Sequence, residues 1–347
     1  MGEKVAVVLF NLGGPDSKTA IEPFLFNFFM DKNIIALPAP LRFFLAKLIS
    51  KKRSKREAGE SYRELGDKSP LLENTAQQAQ ALEKALGGDF KTFVCMRYWH
   101  PMAAQVAREV RDWGAEKIVL LPLYPQFSTT TTKSSLERWK KSSREAGLDI
   151  PVSMVCCYHA NAGFVRASVE NIRGQYEQAV KDGHEAPRVL FSAHGLPEKV
   201  IEKGDPYQWQ CEQTAEAIVK ELGIKGLDWQ ICYQSRVGPM KWIGPSLDAA
   251  LEKAARDGKA VVIYPHAFTQ EHVETLVELD IEYKEEAQKI GQKGYYRAAT
   301  AGTHEAFIAG LAGLVKAHLD RLGIASEGFK APCPPEFGQC CMRQGEI

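Results

Sequence analysis

Arg188-Val-Leu-Phe-Ser-Ala-His194-Gly195-Leu-Pro197 is the stretch on which the fold turns. An apolar run ends in small residues, then a histidine, a glycine and a proline. Such a run reads as a strand buried on both faces, the kind that belongs to a parallel sheet. Gly and Pro stop it, so the strand delivers His194 to its C-terminal lip. In open α/β sheets ligands sit in the crevice beyond that lip. Ala260-Val-Val-Ile-Tyr-Pro265-His-Ala-Phe268 repeats the arrangement, and the helix expected after it carries His272 and Glu274 at its start. His194 and Glu274 are therefore expected to share one cleft.

Working outward, strand and helix patterns alternate along the chain. Before this stretch, Val5 to Phe10, Lys91 to Met96, Lys117 to Leu121 and Val152 to Cys156 read as strands. Helices are expected over Gln77 to Leu86, Ala103 to Trp113 and about Leu136 to Ala146. The pattern starts again with helix Phe164 to Lys181, strand Arg188 to Ala193, helix Tyr207 to Leu222 and strand Trp229 to Gln234. Helix Leu247 to Asp257, strand Ala260 to Tyr264, helix Glu271 to Lys289, strand Tyr295 to Ala298 and helix Thr303 to Leu319 follow. Repeated βαβ units mean parallel sheets covered by helices. The two halves read as similar lobes, 1–160 and 161–302, divided near 158–162. The closing helix, 303–320, is free to pack back on the first lobe. The extension 323–347 shows no periodic pattern.

A chain of 347 residues, 45% hydrophobic and 25% charged, is expected to be soluble and globular, with one large or two ordinary domains. A formal net charge of +1 gives no reason to expect a nucleic-acid partner. Without a signal peptide or an apolar run of about 20 residues, a cytoplasmic protein is expected. The same reasoning makes disulfides a poor default for the eight cysteines. Cys95 and Cys232 lie in strand-like runs and read as packing residues.

Residues 21–50 stand out. Phe24, Leu25, Phe26, Phe28, Phe29 and Met30 are followed by Ile34-Ile35, Leu41, Phe43-Phe44-Leu45 and Leu48-Ile49, then by Lys51-Lys-Arg53 and Lys55-Arg56. Ordinary core is one reading. The other is an aromatic lip over a large apolar ligand, resting on a membrane surface, because an apolar face beside a basic cluster suits an interface.

The chemistry gathers at strand ends. Histidine changes its protonation near neutral pH, and His194 is placed to present a ring nitrogen to a crevice. Glu271, Glu274, Glu278, Glu282 and Glu285 recur at three- and four-residue steps, which puts them on one stripe of a continuous helix. A solvated face is the plain reading. An acidic row that guides divalent cations or carries protons away is the functional one, and carboxylate with imidazole suits transient Fe²⁺ handling. Arg97, Tyr98 and His100 follow one strand, Tyr124, Gln126 and Ser128 another, and Gln234, Ser235, Arg236 and Trp242 a third. Together they describe an aromatic pocket with arginine donors for carboxylates. Cys333, Cys340 and Cys341, three thiols in nine residues, suggest a metal or Fe–S site completed by Cys156 or Cys157.

These stretches resemble the ferrochelatase family over roughly residues 5–320. The motifs are Asn11-Leu-Gly-Gly-Pro15, Arg97-Tyr98 with His100-Pro101, Tyr124-Pro-Gln-Phe-Ser128, Phe191-Ser-Ala-His-Gly-Leu-Pro197, Gly204-Asp-Pro-Tyr207, Tyr233-Gln-Ser-Arg-Val-Gly-Pro239 with Trp242 and Gly244-Pro245, and Ala267-Phe268 with His272-Val-Glu-Thr-Leu276 and Glu278-Leu-Asp280. The resemblance implies two similar Rossmann-like lobes with parallel four-stranded sheets, the type II chelatase fold, and the active cleft between them. It implies insertion of Fe²⁺ into protoporphyrin IX to give protohaem, the terminal step of haem synthesis. Coproporphyrin III as substrate, and a non-catalytic porphyrin or haem carrier, are the rivals.

By the same resemblance His194 and Glu274 are catalytic and meet the substrate iron, as proton acceptor or transient ligand. Glu271 and Glu278 form the acidic path. Leu12, Tyr62, Arg97, Tyr98, Tyr124, Ser128, Trp242 and His272 line the porphyrin pocket. The lip touches the membrane in some relatives, so peripheral contact with the inner membrane, like a homodimer, is left open. Cys157, or its neighbour Cys156, joins Cys333, Cys340 and Cys341 around a 2Fe–2S cluster; no organic cofactor is implied. His266 and Gln270 depart from the small or aliphatic residues usual for the family. So does Lys133, where a glycine is common, and Leu12 often appears as Met.

Overall fold

A computed structural model describes residues 2–236 and 240–344. The Val237-Gly-Pro239 part of the sixth motif lies outside them. The chain divides into two compact units. One holds residues 1–157, 312–331 and 341–347; the other holds 158–311 and 332–340.

In the first unit the strands are β1 (Val5–Asn11), β2 (Phe90–Met96), β3 (Lys117–Pro122) and β4 (Val152–Val155). The second contains β5 (Arg188–His194), β6 (Trp229–Gln234), β7 (Val261–Tyr264) and β8 (Tyr295–Arg297). A ninth strand, β9 (Gly323–Ala325), returns to the first unit. Among the described residues the sheet orders are β2-β1-β3-β4-β9 and β6-β5-β7-β8, with every pairing parallel.

The expected four strands of the first sheet are thus five. Gly323, at φ +95°, turns the chain after helix Glu305–His318, and Ile324 then pairs with Met154 along the open edge of β4. Three residues are too few to carry a periodic signal, so backbone pairing, not side-chain pattern, makes this strand.

All seven residues of β1 are buried, as a central parallel strand with helices on both faces requires. Phe10, Cys95, Leu120, Trp139 and Val106 share one core of this unit. In the other, Phe191, Val189, Val262 and Ile218 pack on one face of the sheet, and Leu190, Cys232, Ile263 and Leu251 on the opposite face. Cys95 and Cys232 are packing residues, as read. Helix starts use local acceptors: Asn161 Oδ1 takes Phe164 N–H at 3.1 Å, and Ser246 Oγ takes Ala249 N–H at 3.1 Å. Gly114 and Gly223 end their helices with left-handed backbone.

Glu271 to Lys289 is not one helix. His272 is extended and caps a single turn, Val273–Leu276; its Nδ1 accepts Glu274 N–H at 3.0 Å, and its own N–H donates to Thr275 Oγ1 at 2.9 Å. A wide π-helical turn, Glu278–Glu282, and helix Tyr283–Lys289 follow. The change of pitch breaks the stripe of five glutamates. Among the described residues no helix is long and apolar enough to cross a membrane.

Candidate active site

The second unit assembles its polar site at the C-terminal ends of β5 and β6. His194 and Gln234 are directly paired across these strands. The backbone holds the histidine from both sides: Gly195 N–H donates to Gln234 C=O at 2.8 Å, and the Tyr207 hydroxyl donates to His194 C=O at 3.1 Å. The His194 ring then meets Glu274, with Nδ1 2.9 Å from Oε2. The two side chains are 36% and 21% exposed, so the pair is reachable from solvent yet partly shielded. A carboxylate on Nδ1 favours the tautomer that carries its proton there, which makes Nε2 the basic nitrogen of the ring.

Gln234 was read from the sequence as a rim residue of a pocket. It is fully buried and acts as a bracket. Ser192 Oγ donates to its Oε1 at 2.7 Å, which fixes the amide's orientation. Its Nε2 therefore points to Glu274 C=O at 2.7 Å and to Glu278 Oε2 at 2.8 Å. Ser235, held at φ +60°, adds its hydroxyl to the same Glu278 oxygen at 2.7 Å. Burial, and next the charge of Glu274, push the Glu278 carboxyl up to about 7, against hydrogen bonds from Ser235 and Gln234 and the charge of His194.

Glu271 has a different fate. Arg297 Nη1 lies 2.6 Å from its Oε1, and Thr300 N–H donates to that oxygen at 2.8 Å. Burial alone would raise this carboxyl. The Arg297 charge, with bonds from Thr275, Thr300 and Arg297, outweighs it and holds Glu271 below the usual range. The same guanidinium grips Asp280 through Nε at 2.7 Å and Nη2 at 2.5 Å. One arginine thus clamps both ends of the segment that carries His272, Glu274 and Glu278. Glu285 is exposed on the following helix.

His272 is kept below its ordinary pKa by burial, and its ring packs edge-on to Phe268 at 4.8 Å. Trp242 is half-buried beside Pro197, and its indole N–H is buried with no hydrogen-bond partner among the described residues. His266, the departure from the family pattern, is a core residue. Its Nδ1 meets Ser192 C=O at 3.1 Å behind the strand that carries His194, and burial lowers its pKa to about 4. Gln270 is buried as well.

In the first unit, Arg97 and Tyr98 directly follow β2, but their polar atoms face inward, toward Asp31. Arg97 Nη2 donates to Asp31 at 2.9 Å and the Tyr98 hydroxyl at 2.7 Å. Ser128 Oγ accepts Thr130 N–H at 3.1 Å, so it caps the turn Thr129–Lys133. Tyr124 is half-buried, and burial drives its hydroxyl pKa up. Tyr62 is buried on helix Glu57–Glu64, and Leu12 is half-buried in the turn after β1. In the lip, Phe24, Leu25 and Phe29 are core, whereas Leu41, Phe44 and Leu48 are 59%, 70% and 67% exposed.

Asp31 was not foreseen. A lone acid after an aromatic run carries no motif, and its side-chain partners lie 66 to 103 residues away.

The cysteines also depart from expectation. Cys156 and Cys341 form a disulfide in the first unit, packed with Phe127 and the buried Cys157. Ile324 of β9 packs against the same cluster, so the strand added at the edge of β4 helps bury both sulfurs. Cys333 and Cys340 are buried in the second unit, and Gln210 Nε2 donates to Cys333 Sγ at 3.1 Å. Among the described residues no three His, Cys, Asp or Glu side chains group so as to hold a metal ion.

Two units of parallel sheet flanked by helices give a fold similar to that of chelatases. The fold is similar to that of SirB from Bacillus subtilis, with a TM-score of 0.53 over 91% of this chain and 96% of that one; at 14% identity this is a likeness of fold alone. The family follows from sequence. A ferrochelatase family model matches residues 4–319. The chain is 51% identical over 316 residues to a ferrochelatase of Wolbachia sp. subsp. Drosophila simulans, covering 90% of this chain and 98% of that one. It is 48% identical over 351 residues to a ferrochelatase of Caulobacter vibrioides, covering 99% of each. The chain belongs to the ferrochelatase family, a family of metal chelatases.

Proposed function

We propose that the chain inserts Fe²⁺ into protoporphyrin IX, giving protohaem and two protons. A free-base porphyrin holds two pyrrole protons where the metal must sit, so both must leave, and no electron is transferred. His194, with Nδ1 committed to Glu274, accepts a pyrrole proton at Nε2. Glu274 stabilises the imidazolium that results. Glu278, poised near neutrality by its buried place, receives the proton onward, or meets iron on its way in. Buckling the ring would expose the nitrogen lone pairs, with binding energy drawn from the macrocycle edge. The observation that supports this reading most is the 2.9 Å contact between His194 and Glu274 at the lip of β5.

The aromatic segment favours protoporphyrin over the more acidic coproporphyrin III. Its exposed Leu41, Phe44 and Leu48, followed by Lys51, Lys52 and Arg53, suit peripheral contact with a membrane on the cytoplasmic side. Incubation with Fe²⁺ and each porphyrin without oxygen tests the substrate. Protoporphyrin should turn over faster; faster coproporphyrin turnover contradicts this choice, and porphyrin binding without insertion of iron or zinc identifies a carrier.

A 2Fe–2S cluster remains a proposal from the chemistry of the thiols alone: Cys333 and Cys340 are soft, buried thiols, but Cys341 is bonded to Cys156, rather than Cys157, and no three of these side chains group around a metal site among the described residues. A disulfide cannot ligate iron, so Cys156 and Cys341 would be ligands only after a dithiol reductant had given that bond two electrons and become a disulfide itself, leaving two thiolates. When bound, the cluster supplies a redox-active staple for the C-terminal segment, and metal insertion does not pass through it. Protein made under iron-replete anaerobic conditions should carry about two iron and two acid-labile sulfides per chain. Colourless, sulfide-free protein would contradict the cluster.

A further inference from the structure

Asp31 lies between helix Ile21–Phe29 and helix Ala39–Ser54, in the turn at the base of the aromatic lip. Its side chain is 1% exposed. Three side-chain donors converge on Oδ2: Arg97 Nη2 at 2.9 Å, the Tyr98 hydroxyl at 2.7 Å, and Ser134 Oγ. Arg97 Nε closes the group by donating to Ser134 Oγ at 2.6 Å. On the other side, Asp31 Oδ1 accepts Asn33 N–H at 2.9 Å, and its carbonyl accepts Ile35 N–H at 2.9 Å, so the turn itself is built on this residue.

The contacts around it have the same direction. Asn27 Nδ2 donates to Tyr98 C=O at 3.1 Å, and the Phe28 and Tyr98 rings meet edge-on at 5.0 Å. The base of the lip is therefore tied to the end of β2 and to helix Ser134–Glu145, while its far helix presents apolar side chains outward. A buried carboxylate is expensive unless it is paired and hydrogen-bonded, and this one is fully served.

We propose that Asp31 is a positioning residue for porphyrin capture: through Arg97 and Tyr98 it latches the aromatic lip to the sheet and sets the lip's height over the ligand. The ligand's identity rests on the function proposed above; the latch does not. Removing the latch lets the lip swing, so the macrocycle is held less well while the chemistry at His194 is untouched.

The test uses the full chain with Asp31→Ala, Asp31→Asn and Ser134→Ala. Two readouts are taken: separate KM values for porphyrin and metal, and the rate of tryptic cleavage within Lys51–Arg56. Asp31→Ala should raise the porphyrin KM about tenfold, with the metal KM and kcat little changed. Asp31→Asn, which keeps an acceptor, should restore part of that loss. Cleavage after Lys51–Arg56 should speed up in the same order while sites elsewhere keep their rates. Ser134→Ala removes one donor and keeps the carboxylate–guanidinium pair, so it carries the test if the Asp31 variants fail to fold. Unchanged porphyrin KM and cleavage in folded variants overturn the latch, as does a loss confined to kcat. Faster cleavage together with retained insertion by His194→Ala upholds the latch and overturns the catalytic reading.

Discussion

Nδ1 of His194 and Oε2 of Glu274 stand 2.9 Å apart although 80 positions separate them in the chain. Each is held by backbone of a different kind. His194 is the last residue of a central strand, paired on its flank with Gln234. Glu274 sits in a one-turn helix capped by His272 and Thr275. The backbone of neither can shift without breaking a ladder or a cap, which is the preorganisation the proposed proton acceptor would need.

Glu278 should set the acid side of the pH–rate profile. A carboxyl must be ionised to take up a proton, and burial beside Glu274 has raised this one to about 7. Insertion should therefore fall as the pH drops below about 7. Glu278→Gln should remove that limb and slow turnover about 10²-fold. Gln234→Met removes a donor that favours the ionised form, so it should move the limb to higher pH. Steady-state rates between pH 5.5 and 9, roughly the window in which such groups titrate, decide this.

Arg297 should matter more than a surface arginine. It joins Glu271 and Asp280 and is itself 13% exposed. Glu271 and Asp280 are 23% and 33% exposed, so Arg297→Ala leaves two partly buried carboxylates without their guanidinium and should cost about 2 kcal/mol, less than breaking a fully buried pair. Urea melts should show that loss. Arg297→Lys, without the fork, should recover only part of it.

His266 should make the fold acid-sensitive. Its pKa falls from 6.5 to about 4 on folding because burial disfavours the imidazolium. Between those values the unfolded chain binds the extra proton and the folded chain does not. Stability is therefore fully present above 6.5 and is lost as the pH falls toward 4, by about 1.4 kcal/mol per pH unit within that window. Replacing the ring by Leu should flatten this part of the profile relative to the parent. Equal losses of stability between about pH 7 and 4.5 in the parent and the Leu variant, read from urea unfolding, would contradict the assignment.

How much was legible beforehand follows from what each element rests on. Trp229–Gln234, Ala103–Trp113 and Tyr207–Leu222 carry their pattern in their own residues, and the sequence reading matches them end to end. The meeting of His194 and Glu274 was legible because parallel strand ends share one rim. Gly323–Ala325 was not, since three residues gain their strand character from β4. Nor was the break after Glu271: the apolar spacing continues through it, and only His272's extended backbone and the change to a wide turn end the helix. Asp31 was invisible for a third reason: the side chains that bond its carboxylate, Arg97, Tyr98 and Ser134, come from distant segments. Gln234 was named, but as a rim group, because its residue type does not reveal that Ser192 orients it.

The central claim is that the imidazole at 194 takes the pyrrole proton. Oxygen-free insertion assays on His194→Ala, with porphyrin affinity measured in parallel by fluorescence quenching, test it most directly. Turnover should fall by about 10³-fold while the porphyrin Kd stays within about threefold of the parent. Turnover close to the parent's, at unchanged affinity, would contradict it.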